Sequence, residues 1–129
     1  MTEKFKKPDY YNTVMPYLIL DDVNAFIEFA KRVFGASEKA RYPDDDGRIV
    51  HAEVTIGEST IMAGESTEQW PVQTAGLYVN VNTADQVYQK ALDAGAVSVQ
   101  KPSDQEYGRT CGVKDPQGNT WWITSDLHT

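Results

Sequence analysis

A chain of 129 residues that is 40% hydrophobic and 24% charged has room for one compact domain and is too apolar to stay disordered. Its net charge of −7, from 19 acidic against 12 basic residues, argues against a nucleic-acid binder, and the one basic cluster, Lys4, Lys6 and Lys7, falls in a predicted tail. No apolar run reaches membrane-spanning length, Met1 to Asn12 lacks the apolar stretch of a signal peptide, and the single cysteine, Cys111, has no internal partner; a cytoplasmic protein is expected.

Val14 to Leu20 is a short apolar run rich in branched residues and predicts a buried strand. Asp21 or Asp22 then caps a helix whose apolar positions, Val23, Phe26, Ile27, Ala30 and Val33, recur at helical spacing until Gly35 ends it. Glu38 to Tyr42 predicts a second strand and Pro43 to Gly47 a polar turn. Two more strands follow, Arg48 to Ile56 and Ser59 to Ala63, joined tightly at Gly57-Glu58.

The order then repeats. Leu77 to Val81 predicts a strand, Thr83 with Gln86 a capping box, and Val87, Ala91 and Leu92 the stripe of a helix closed by Gly95. Val97 to Gln100 predicts a strand, Pro102 to Gly108 a loop, and Arg109 to Lys114 another strand. Asp115-Pro116-Gln117-Gly118 is a strong turn signal before the last strand, Asn119 to Ser125. Asp22 and Thr83, Arg48 and Arg109, and Gly57 and Gly118 stand at one common offset, about 61 residues, the mark of an internal duplication. The expectation is an α+β fold of two tandem βαβββ modules, 13–63 and 77–125, forming a curved mixed sheet with a central cup and helices outside. Residues 64–76 are a linker, and 1–12 and 126–129 are tails.

Strand parity sorts the side chains. The turn at Gly57-Glu58 sets Glu53 opposite Met62, and the apolar Val54, Ile56 and Ile61 then claim the helix side. His51, Glu53, Thr55, Thr60 and Met62 point the other way, joined by Met15, Tyr17 and Ile19 from the first strand. In the second half Tyr78, Asn80, Thr120, Trp122 and Thr124 face inward by the same rule.

Pro16-Tyr17-Leu18, Asp21-Asp22-Val23, Phe34-Gly35-Ala36, the run from Gly47 to Glu53 and the run from Asp115 to Trp121 resemble the glyoxalase/bleomycin-resistance/dioxygenase superfamily, also called vicinal oxygen chelate. Within it they look most like the PhnB-like branch, and the likeness extends from about Thr13 to Ser125. The resemblance implies paired βαβββ modules, a homodimer, and a small molecule held in the cup. It also implies four metal-ligand positions in the metal-dependent members. Here these fall on Met15, Met62, Gly76 and Trp122. Two thioethers, a bare glycine and an indole do not bind the divalent ions such enzymes use, so no metal and no cofactor is expected at that place.

His51 and Glu53, two apart on one strand, could meet a metal together, but a third ligand is wanting: the other histidine is His128, near the chain end, and the facing of Cys111 is open. Alternatively they bond to each other, to Arg48, to Arg109 or to a neighbouring strand. The candidate ligand-binding residues are Met15, Tyr17, His51, Glu53, Met62, Trp70, Tyr78, Arg109 and Trp122. Glu53 could neutralise a ligand cation, or act as general base with His51 or Arg109. Arg109 could grip a carboxylate or phosphate with both arms. Three readings stay open: a metal-free binder of an aromatic or cationic molecule, a metal-independent isomerase or lyase, and an interaction module with a vestigial cup.

Overall fold

Asp22 opens the first helix as expected: its Oδ1 accepts from the Ala25 N–H at 3.0 Å, and Gly35 closes the helix in the left-handed conformation at φ 68°. The computed structural model describes residues 6–127. Lys4 and His128, singled out above, lie outside them. The first module runs β1 (Tyr17–Leu20), α1 (Val23–Phe34), β2 (Ser37–Pro43), β3 (Ile49–Ile56) and β4 (Ser59–Glu65). The second runs β5 (Gly76–Asn80), α2 (Ala84–Asp93), β6 (Val97–Gln105), β7 (Gly108–Lys114) and β8 (Thr120–Ser125).

The strands make two four-stranded sheets, ordered β1-β4-β3-β2 and β5-β8-β7-β6. In each, the first strand lies parallel to the last and the other pairs are antiparallel. This topology follows from the helical crossover, which returns the chain to the far side of its own sheet. The duplication read from the sequence is thus present in space, as two sheets, one per module. Among the described residues no helix is long and apolar enough to cross a membrane.

Each sheet turns its apolar face to its helix. Leu18, Leu20, Ala52, Val54, Ile61 and Ala63 are buried with Phe26, Ile27 and Ala30 of α1, and Cys111, Val113, Trp121 and Ile123 with Ala84 and Ala91 of α2. The two cores merge where α1 meets α2, and the Phe34 ring lies 4.4 Å from that of Trp121. The Asp115–Gly118 turn holds Trp121 in place. The buried Asp115 carboxylate accepts from the backbone N–H of Gln117 and Asn119, from Asn119 Nδ2 and, at 2.8 Å, from Trp121 Nε1.

Four local expectations change. Thr83 is the N-cap of α2 but its side chain caps nothing; Ser125 Oγ accepts the Ala84 N–H instead, at 3.0 Å. β6 continues past Gln100 to Gln105, through Pro102. It is an edge strand with two register shifts, where a residue without an N–H costs no ladder bond. A register shift also falls in β3, where Tyr42 pairs with His51 but Pro43 with Ile49. The extra residue, Val50, breaks the alternation, so Ile49 is buried and Val50 exposed. Finally, Tyr10 to Asn12 do not behave as a tail, as the site makes plain.

Candidate ligand-binding site

Strand parity places His51, Glu53 and Met62 on the face of the first sheet turned away from α1, with Glu53 and Met62 in register and Met62 in turn beside Tyr17. Glu53 is 3% exposed. A buried carboxylate needs donors for both oxygens, and three side chains supply them: Tyr10 donates to Oε1, Tyr11 donates to Oε2 at 2.5 Å, and His51 Nε2 lies 2.8 Å from Oε2. Burial works to raise the pKa of Glu53, but the hydrogen bonds from Tyr10, Tyr11 and His51 outweigh it and hold the carboxyl below its ordinary value. The same bonds, with Glu53 as acceptor, push Tyr10 and Tyr11 up to about 12.

Tyr10 and Tyr11 reach Glu53 because the segment before β1 is clasped to the β3–β4 turn. Asn12 donates through Nδ2 to the Glu58 carbonyl at 3.2 Å and accepts the Thr60 N–H at 2.9 Å, while Thr60 Oγ1 donates to the Tyr10 carbonyl. Side-chain periodicity carries no trace of this, since the partners lie 42 and 43 residues apart. The adjacent Tyr10-Tyr11-Asn12, three hydrogen-bonding side chains in a supposed tail, was the one available signal.

On its other side His51 meets Tyr17, whose hydroxyl is 3.0 Å from Nδ1. The imidazole sits between two phenol rings, with centroids 5.5 Å from Tyr17 and 6.0 Å from Tyr42. An ionised Glu53 can only accept, so when His51 is in the neutral form its proton sits on Nε2 and Nδ1 accepts from Tyr17. Tyr17 is raised by burial and by the nearby Glu53 charge, so its hydroxyl keeps its proton. A continuous chain of hydrogen bonds therefore links Glu53, His51 and Tyr17.

Tyr17 opens onto a cavity of about 410 Å³ that it shares with Ile19, Val50, Gly64, Glu65, Trp70 and Gln73. The segment after β4 closes the far wall: Gln73 pairs with Ile19 through both backbone bonds, at 2.8 and 3.0 Å, and brings Trp70 across. Gly64 keeps the cavity clear, because a Cβ there would lie 3.2 Å from the Tyr17 hydroxyl and 2.6 Å from the Val50 carbonyl. Glu65 accepts the Val23 N–H at 3.1 Å, and Arg48 approaches it at 3.9 Å. A larger cleft, about 1060 Å³, opens between the modules beside Phe34, Leu77, Tyr78 and Trp121, and contains neither His51 nor Glu53.

The other candidates divide. Tyr78 and Trp122 are register partners on the second sheet, 57% and 37% exposed, and Trp122 lies over Gly112, where a Cβ would come within 2.6 Å of its ring. They share no face with the His51–Glu53 pair. Met15 precedes β1 and is half-buried. Arg109 departs from expectation: it stands on the α2 side and grips Asp85 with both arms at 2.9 and 3.1 Å, and Asp104 at 3.1 Å. Its place on β7 beside buried Cys111 and Val113 dictates this, and its two-armed grip is used within the chain. Glu53 likewise has no bare oxygen with which to meet a ligand cation.

The donor set of Met15, Met62, Gly76 and Trp122 does not fit a divalent metal, and Met62 and Trp122 sit on different sheets. Among the described residues no three His, Cys, Asp or Glu side chains converge. His51 and Glu53 instead bond to each other.

Residues 10–123 match the family model of the Glyoxalase/Bleomycin resistance protein/Dioxygenase superfamily. An uncharacterized protein of Mycobacterium bovis, Mb0911c, is 33% identical over 118 residues, covering 82% of this chain and 78% of that one. Among solved structures, TioX from Micromonospora sp. ML1 superposes with a TM-score of 0.71 at 26% identity, over 92% of this chain and 98% of its own. TnmS3, an antibiotic binding protein from Streptomyces sp. CB03234, shares the fold with a TM-score of 0.69 at 16% identity, over 91% and 100% of the two chains. The duplicated βαβββ module and the match along nearly its whole length place this chain in the glyoxalase/bleomycin resistance protein/dioxygenase superfamily.

Proposed function

We propose that this is a cytoplasmic small-molecule-binding protein that takes a flat aromatic ligand, neutral or cationic, in the cavity of its first module. The observation that carries the reading is the cavity of about 410 Å³ lined by Trp70, Tyr17 and Gly64. Its size suits a drug-like molecule. Ring faces contribute about 0.5–1.5 kcal/mol per aromatic contact beyond area burial, and a cation over one adds a comparable amount. The antibiotic-binding relative of the same fold supports the reading.

A second copy of the chain completes the cup. Tyr17 and Tyr42 on one sheet, and Tyr78 and Trp122 on the other, are exposed apolar surface facing away from the shared core, and such surface in a folded protein marks an interface. A homodimer that laid one sheet against the partner's other sheet would cover both.

Titration with a panel of aromatic and cationic antibiotics tests the binding, followed by tryptophan fluorescence. Quenching that saturates, and that disappears in Trp70→Phe, is expected. A panel that leaves the emission of Trp70 unchanged throughout would remove the support for this reading. Light scattering at known concentration decides the dimer, with a monomer mass counting against it.

A further inference from the structure

The hydrogen-bond chain ends at the cavity, and that position carries more than binding. Glu53 is buried and ionised; in its neutral form His51 donates to it through Nε2, 2.8 Å away, and accepts from Tyr17 through Nδ1, 3.0 Å away. The Tyr17 hydroxyl, its proton committed to His51, presents oxygen lone pairs to the cavity, beside the bare Cα of Gly64. The order carboxylate, imidazole, hydroxyl is that of a general-base relay.

We propose that Glu53, His51 and Tyr17 form a proton relay that deprotonates an aromatic ligand bearing an acidic O–H, N–H or C–H at its edge. This rests on the reading of the cavity as an aromatic site. The ligand's X–H bond breaks and its electron pair stays on the ligand. The proton passes to the Tyr17 oxygen as the Tyr17 proton moves to His51 Nδ1. Tyr17 ends as it began, and the imidazolium is balanced by the Glu53 carboxylate. One proton is transferred, and no electron donor or acceptor is required. Tyr17 touches the ligand and is the catalytic residue; His51 receives the proton, and Glu53 is a positioning residue that acts through His51.

The division explains two features that binding alone leaves idle. Glu53 is sealed by two phenols, which removes it as a direct base but keeps it charged beside His51. Gly64 has no side chain where one would crowd the Tyr17 hydroxyl.

The test uses 5-nitrobenzisoxazole, a flat carbon acid that opens to a coloured cyanophenolate when its ring C–H is removed. Binding is read from Trp70 quenching and proton abstraction from phenolate release. The wild-type protein is expected to bind the probe and open it, with Tyr17→Phe lowering the rate by about 10²-fold while Trp70 quenching persists. His51→Gln should do the same. For Glu53→Gln, nitrogen-detected NMR should show His51 losing its Nε2–H form as the rate falls. Quenching without phenolate release, or release equal in wild type and Tyr17→Phe, overturns the relay and leaves the binding site standing. A probe that does not quench Trp70 overturns both.

Discussion

Tyr11 and Glu53 are 42 residues apart in the chain, yet the phenol hydroxyl of one donates at 2.5 Å to the buried carboxylate of the other. With Tyr10 on the second oxygen, the segment before the first strand becomes a wall of the site, and the carboxylate it seals orients His51 toward Tyr17. Several consequences can be measured.

Glu53→Gln puts an amide N–H₂ among side chains that are themselves donors. Hydrogen bonds to a charged acceptor contribute about 1.5–3 kcal/mol each, and the buried position offers no water to replace them. A loss of about 2–3 kcal/mol in denaturant unfolding is expected. The β1–β4 half should also show faster amide exchange at Thr60, whose N–H is held by Asn12 of the same segment.

The site contributes a pH dependence to stability at both ends of the scale. Glu53 is held below its ordinary value of 4.5 in the folded protein, so it contributes stability above that value, and the contribution is lost as pH falls through the folded one. Tyr10 and Tyr11 are raised from 10.0 to about 12, so theirs is present below pH 10 and lost as pH climbs toward 12. A tyrosinate absorbance titration should show late-titrating phenols that return to the ordinary range in Glu53→Gln. Ordinary titration of every tyrosine in the folded protein would contradict the assignment.

Gly64→Ala tests the cavity wall. The added methyl would meet the Val50 carbonyl at 2.6 Å and the Tyr17 hydroxyl at 3.2 Å, so backbone must shift or Tyr17 must leave His51. A cost of about 1–3 kcal/mol follows, together with weaker Trp70 quenching by ligand. An alanine variant with unchanged affinity and stability would show that the wall yields freely.

Arg109→Ala should separate the two faces of the second sheet. Its guanidinium bridges Asp85 and Asp104, partly exposed groups whose ion pairs with it are weakened by water and salt. A small drop in melting temperature with unchanged ligand affinity is the expected outcome. A large loss of binding would instead bring Arg109 back to the cup.

Much of this was legible in the amino-acid order because the signals are local. Asp22 caps its own helix, Gly35 ends it, and the turn at Gly57-Glu58 sets Glu53 against Met62 through parity alone. The Asp115 turn was recognisable too, although its reason, a carboxylate holding the indole N–H of Trp121, became visible only in three dimensions. Parity failed at Val50, where a bulge inserts one residue and exchanges the faces.

The sequence by itself determined the duplicated module and most of its sheet faces, because each follows from spacing and side-chain chemistry within a few residues. Tertiary structure decided that Tyr10 and Tyr11 seal Glu53, that Trp70 lines the cavity with Tyr17, and that Arg109 of β7 bonds Asp85 of α2. Those pairings depend on which distant segments are brought within hydrogen-bond reach, and no local pattern encodes a distance across the fold.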